Sequence, residues 1–153
     1  MHIVIMKEKN LHQLVWMSRP LMQAAEACVE AGLNGTALTV RMRAVLEILH
    51  RHGAMTVPDI AAKLEIQRQY VQVMCNETLS SGLVEQRPNP RHKRSPILAL
   101  TESGSSLITT IIAQELAILH EVGRDLSEED ISTALRVVLA VTERLKAQSG
   151  KDR

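Results

Sequence analysis

The sequence predicts a mainly α-helical fold carrying one small antiparallel β hairpin, and three observations lead there. The 153 residues contain no Phe, one Trp (Trp16) and one Tyr (Tyr70). Leu, Ile, Val, Ala and Met must therefore fill the core, which favours helices packed on helices. Seven Gly and five Pro are too few for a loop-built chain, and apolar residues recur at helical spacing along most of its length. The exception is a stretch with three prolines and four Lys/Arg set between two segments that read as short strands, 83–86 and 97–100, the whole forming a stiff hairpin.

The elements follow in order. Residues 11–31 carry apolar side chains at 11, 14, 15, 21, 22, 25, 28 and 29, a helical spacing that Pro20 should kink or restart. Gly32-Leu33-Asn34-Gly35 breaks it. Thr39 can cap a helix to about Arg51 with Val45, Leu46, Ile48 and Leu49 inward, closed by His50-Arg51-His52-Gly53, cations in the last turn and glycine beyond it. Thr56-Val57-Pro58-Asp59 has the cap, first-turn proline and acid of a helix start, and a short helix runs to Leu64. After Glu65-Ile66 a longer one runs over 67–81 and stops at Gly82. Thr101 caps a helix to about Val122 with Leu107, Ile108, Ile111, Ile112, Leu116 and Leu119 apolar, closed by Gly123. Ser127-Glu128-Glu129-Asp130 opens the last, to about Ala147, apolar at 131, 135, 138, 139, 141 and 145. The tail 149–153 is expected to be disordered.

Two helices across a tight turn, the second longer, form a helix-turn-helix. At about 100° per residue, Val71, Met74, Cys75, Thr78 and Leu79 share one face of the second helix, which must be buried. Gln69, Gln72, Val73 and Asn76 share the opposite face, with Gln67, Arg68 and Tyr70 towards its N-terminal end. Gln and Asn can pair bidentately with adenine in a major groove, and Arg with guanine or phosphate; the same residues also suit a plain solvated helix face. Arg87-Pro88-Asn89-Pro90-Arg91-His92-Lys93-Arg94-Ser95-Pro96 then places a basic tip on a hairpin directly after the helix-turn-helix. That is a wing, able to enter a minor groove or lie along phosphates. The candidate DNA-binding residues are thus Gln67, Arg68, Gln69, Tyr70, Gln72, Val73, Asn76, Arg91, His92, Lys93 and Arg94. The fold class becomes a winged helix-turn-helix flanked by N- and C-terminal dimerisation helices: 1–34, then the DNA-binding domain 35–104, then 105–149. Those flanking helices are more apolar than a small neighbouring domain can cover, and a second copy of the chain would bury them best.

Charge agrees. Residues 35–104 hold nine Lys/Arg against six Asp/Glu, a balance of +3, while the flanks hold nine against eleven, −2, which suggests an anionic partner for the centre. Nearly no aromatics means no stacking platform for single-stranded nucleic acid. The apolar start 1–6 is too short for a signal-peptide core, and no run approaches the ~18 residues of a spanning helix, so a cytoplasmic protein with no membrane partner is expected. Cys28 and Cys75 form no framework. Cys75 falls on the buried face, and Cys28 has Glu26 and Glu30 nearby, so neither suits a redox sensor. His50 and His52 do not share a helix face, so no metal site and no cofactor are expected. No Ser/His/Asp set or glycine-rich phosphate loop supports an enzyme.

The order of pieces resembles the MarR family of winged helix-turn-helix transcription regulators over nearly the whole chain. Leu38-Thr39 stands ahead of the second helix, Thr56-Val57-Pro58-Asp59-Ile60-Ala61 matches the start of the third, and Gly82-Leu83-Val84 follows the recognition helix. Leu100-Thr101-Glu102-Ser103-Gly104 matches the motif that ends the wing. Departures are clear. The family's Asp-Pro-x-Asp-Arg-Arg wing appears as Asn89-Pro90-Arg91-His92-Lys93-Arg94, leaving the bracing acid–arginine contact without its acids and the tip more basic. Amides and Tyr70 stand where small hydroxyl residues usually begin the recognition helix, so no base preference carries over. Thr78 replaces the usual Leu.

The resemblance implies a homodimer on a pseudo-palindromic double-stranded operator, with recognition helices in major grooves and wings in adjacent minor grooves. Arg94 matches the wing arginine most used in the family. The resemblance also implies a repressor responsive to a small-molecule effector, for which Trp16, Met17, Met22 and Met42 are the candidate lining, although core filling in a chain without Phe explains them better. A winged-helix module that binds protein rather than DNA is the alternative.

Overall fold

Hydroxyl side chains start most of the helices. In the computed structural model, which describes residues 2–150, the chain runs α1 (His2–Trp16), α2 (Ser18–Gly32), α3 (Val40–His52), β1 (Met55–Thr56), α4 (Val57–Leu64), α5 (Arg68–Ser80), β2 (Val84–Arg87), β3 (Ile97–Leu100), α6 (Glu102–Val122) and α7 (Glu128–Gly150). The side-chain oxygen of Thr39 accepts from the Met42 amide at 3.2 Å, that of Thr56 from Asp59 at 3.3 Å, and that of Ser127 from Asp130 at 3.0 Å, each meeting a donor the first helical turn leaves unpaired.

The expected interruption near Pro20 is a fresh helix start. α1 ends at Trp16, the Ser18 hydroxyl donates to the Val15 carbonyl at 2.6 Å, and Pro20 sits in the first turn of α2, where its missing N–H has no partner to lose. α1 itself begins at His2, well before the periodic run at Leu11, because Lys7-Glu8-Lys9 are good helix formers that need no apolar face to continue the turn. α7 likewise extends three residues past Ala147, to Gly150, so Ser149 and Gly150, expected to be disordered, continue the helix, and the rest of that tail lies outside the described residues.

The sheet has the order β1-β3-β2, all antiparallel, with Met55 opposite Leu98 and Val84 opposite Leu100. The β2–β3 hairpin stands one residue later than its sequence run on the first strand. β1 was not foreseen: two residues are too short to carry a period.

The chain divides into two compact units, one of Ala25–Leu116 and one drawn from the two ends, up to Ala24 and from Ala117 on. In the central unit, Leu46 of α3, Ile60 of α4, Val71 and Cys75 of α5, Leu98 of β3 and Ile108 of α6 are fully buried. α6 is drawn hard onto the turn before β2. The Thr101 hydroxyl donates to the Gly82 carbonyl at 2.8 Å and accepts from the Gly104 amide at 3.1 Å. A Cβ on Gly104 would lie 1.9 Å from the Leu83 carbonyl oxygen, which is why glycine stands there. Further along, Arg43 of α3 bonds Glu115 of α6 (Nε to Oε1 2.5 Å) and Glu47 on its own helix (2.7 Å). The Glu115 hydrogen bond chiefly, with Glu47, raises the Arg43 pKa above its ordinary value against the opposing effect of burial.

In the terminal unit no residue of α7 is buried. Leu135, Leu139 and Leu21, all at the helical spacing of an inward face, are 58%, 58% and 68% exposed. Among the described residues no helix is long and apolar enough to cross a membrane.

Candidate nucleic-acid interface

The turn that launches the recognition helix is made by Glu65 in the left-handed region (φ 55°, ψ 41°), with its amide and that of Ile66 both donating to the Ala61 carbonyl. Gln67 then precedes α5 in an extended conformation without a side-chain cap. The helical angles assign the faces: Val71, Met74, Cys75 and Thr78 are buried and Leu79, expected with them, is half-buried against the core, while Gln67, Arg68, Gln69, Tyr70, Gln72, Val73 and Asn76 are exposed. The buried Thr78 hydroxyl donates to the Cys75 carbonyl at 2.7 Å, so the polar substitution at this core position is satisfied within its own helix. Burial pushes the Cys75 thiol up to about 11. On the outer face the Gln72 amide donates to Asn76 Oδ1 at 3.0 Å.

The wing is braced differently from the family pattern. Asn89 Nδ2 donates to the Ser95 carbonyl at 3.0 Å and Asn89 Oδ1 accepts from the Arg91 amide at 3.1 Å, while the Ser95 amide donates to the His92 carbonyl. One amide side chain thus ties both arms of the tip, a donor-and-acceptor role that a carboxylate could fill only in part. The Asn-Pro dipeptide was the available signal, since Asn bonds the backbone two residues on. Arg91, His92, Lys93 and Arg94 are all exposed, and among the described residues Arg91, Lys93 and Arg94 have no carboxylate partner. Arg87, counted with the basic tip, instead pairs with Glu85 at 2.9 Å.

Two depressions flank the outward stripe of α5. One, of about 560 Å³, lies between α5 and the wing, with Arg68, Gln69 and Gln72 on one wall and Gln86, Arg94 and Ser95 on the other. Sequence reasoning named four of these residues but not Gln86 or Ser95, whose positions depend on the strand register. The other, of about 490 Å³, lies between the far edge of α5 and the start of α3.

The candidate effector residues fall in unlike places. Trp16, Met17 and Met22 are exposed, and the Trp16 indole N–H donates to His12 Nε2 at 3.1 Å with the Arg19 guanidinium 6.0 Å from its ring. Met42 is buried in the central core. Cys28 is exposed. Among the described residues no three His, Cys, Asp or Glu side chains gather as metal ligands.

A family model described as MarR family matches residues 31–95. Over 65 residues the chain is 40% identical to an uncharacterised protein of Mycobacterium tuberculosis, covering 42% of this chain and 46% of that protein. The match thus spans about half the length of that curated relative. The transcriptional repressor MdtR of Bacillus subtilis is 27% identical over 93 residues, 61% of this chain and 60% of MdtR. The crystal structure of a MarR family transcription regulator superposes with a TM-score of 0.84 at 35% identity, over 96% of this chain and 97% of that one. MepR of S. aureus, solved as a DNA complex, shares the fold at a TM-score of 0.76 and 18% identity, over 85% of this chain and 96% of MepR. With its winged helix-turn-helix aligned to that regulator from end to end at 35% identity, the chain belongs to the MarR family of transcription regulators.

Proposed function

We propose that the protein is a sequence-specific, double-stranded DNA-binding transcriptional regulator that acts in the cytoplasm as a homodimer and represses its targets until a small molecule releases it. The observation that carries this reading is the exposed face of α5, which presents Gln69, Gln72 and Asn76, with Gln69 and Gln72 beside a wing whose Arg91, Lys93 and Arg94 have no carboxylate partner among the described residues. A B-DNA major groove about 12 Å wide accepts such a helix, and its adenine edges suit amide side chains. The wing's Arg91, His92, Lys93 and Arg94 suit an adjacent minor groove or its phosphates.

The exposed apolar side chains of α2 and α7 support the homodimer. A two-fold pair would present two recognition helices to half-sites about 34–36 Å apart, one helical turn. The MdtR relative, named a repressor, supports the sign of regulation, and the MepR likeness supports the DNA partner. For the effector, the exposed Trp16, Met17 and Met22 remain the proposed contacts, methionine being adaptable to varied lipophilic ligands; Met42, buried in the central core, is not among them.

The test is affinity selection of genomic duplex fragments by purified protein, followed by titration of the winners against salt. An inverted repeat with a steep salt slope is the expected result. Weak binding with no preferred sequence would overturn the reading in favour of a winged-helix module that binds another protein.

A further inference from the structure

A helix with its side chains is about 10–12 Å across, so α5 laid into a major groove of about 12 Å fills it. The two sugar-phosphate backbones bordering that groove must then pass on opposite sides of α5. Each side has its own depression. The wing side carries Arg68 and Arg94. The other is lined by Thr39, which caps α3, by Met42 of α3 and by Val73, Asn76, Glu77 and Ser80 of α5; the cation paired with that lining, through Glu77, is Arg41 on the first turn of α3. Its half-exposed guanidinium lies 2.9 Å from Glu77 Oε1. At about 100° per residue, Glu77 sits on the edge of the outward stripe beside Val73. Its second oxygen, Oε2, is buried with no hydrogen-bond partner. An uncompensated carboxylate on the rim of a DNA-facing stripe would repel phosphate, and Arg41 cancels it. A guanidinium has five N–H donors in a planar fork, more than one carboxylate oxygen uses, so the same side chain can hold Glu77 and bond a phosphate oxygen together.

We propose that Arg41 is a phosphate-contacting residue that grips the DNA backbone on the side of the recognition helix away from the wing, with Glu77 as its positioning residue. The proposal rests on the DNA-binding reading and adds to the wing a second, opposed grip that no sequence motif marks.

The experiment compares wild type, Arg94→Ala, Arg41→Ala and the charge-neutral pair Arg41→Ala/Glu77→Gln on the selected operator, by salt titration and by phosphate-ethylation interference. The pair keeps the net charge, so it separates a contact from bulk electrostatics. The expected result is a salt slope reduced by about 0.9 per subunit in Arg94→Ala and in both Arg41 variants. Interference should vanish on the phosphates away from the wing in the Arg41 variants alone. Arg41→Lys should restore the slope, as a point charge still neutralises phosphate. If the charge-neutral pair keeps the wild-type slope and interference pattern while Arg94→Ala does not, the inference is overturned and the DNA reading stands. If wild type binds no duplex with a steep slope, both fall. Should Arg41→Ala not fold, Arg41→Gln/Glu77→Gln retains the volume and is read the same way.

Discussion

At Gly104 a single hydrogen atom is the whole side chain because the Leu83 carbonyl occupies the space where any Cβ would stand, 1.9 Å away. The obstruction is backbone, which cannot rotate aside as a side-chain tip can. Gly104→Ala should therefore cost about 3 kcal/mol and lower the melting temperature by on the order of 10 °C, measurable by thermal unfolding; an unchanged melt would mean that α6 does not approach the turn so closely. Cys75 makes a second residue-scale prediction. Its folded pKa is raised from 9.0 to about 11 by burial, so the native state holds the thiol proton more tightly than the unfolded chain. Stability should be intact below pH 9 and fall by about 1–3 kcal/mol between pH 9 and 11. Cys75→Ala, although less stable throughout, should lose that component of the slope in denaturant titrations across this range. The sequence placed both residues, Gly104 by motif and Cys75 by helical angle. The reason for the glycine was not legible, because the close approach is made by a residue on a different element.

Among elements, the wing shows best what composition conveys and what it leaves out. Prolines and charges identified a stiff basic hairpin, and the missing acids pointed to a lost brace. The structure supplies the brace from Asn89, bonded to Ser95 on one side and to Arg91 on the other. Asn89→Ala removes both bonds, a local cost of about 1–2 kcal/mol, so the Arg91 amide should exchange its hydrogen roughly tenfold faster while the amides of α3 keep their protection. Asn89→Asp keeps the acceptor but loses the donor to Ser95 and adds a negative charge to the tip; it should weaken DNA binding more than Asn89→Ala does. The recognition helix was legible in register because its apolar residues follow one angular rule. Arg41 and Glu77 were not, since their pairing joins residues 36 positions apart on elements whose packing the periodicity does not specify. β1 escaped for want of length, and α1 ran past its apolar stripe because helix-forming residues propagate a helix once it exists.

For the molecule as a whole, the two compact units differ in how they satisfy their apolar residues. The central one has a buried core of its own, whereas in the terminal one Leu21, Leu135 and Leu139 stay more than half exposed. Each such leucine, once covered, would gain about 1.5–3 kcal/mol, so chains paired through these faces would be held firmly. Leu135→Glu should shift the protein from dimer to monomer in sedimentation velocity, and operator affinity should fall with it because half-sites would be bound one at a time. A wild-type chain already monomeric at micromolar concentration would contradict this. The apolar excess of the terminal helices was legible from the sequence alone; which surfaces it would cover was not.

The near-absence of aromatic residues also makes the chain its own spectroscopic instrument. Trp16 lies exposed on the terminal unit, beside His12, and Tyr70 lies exposed at the start of the recognition helix. With no other Trp or Tyr in the chain, indole emission reports only on the first and phenol emission only on the second. The proposed homodimer and the proposed DNA complex could therefore be tested independently in one unlabelled sample, by dilution and by titration with duplex DNA, each through its own chromophore.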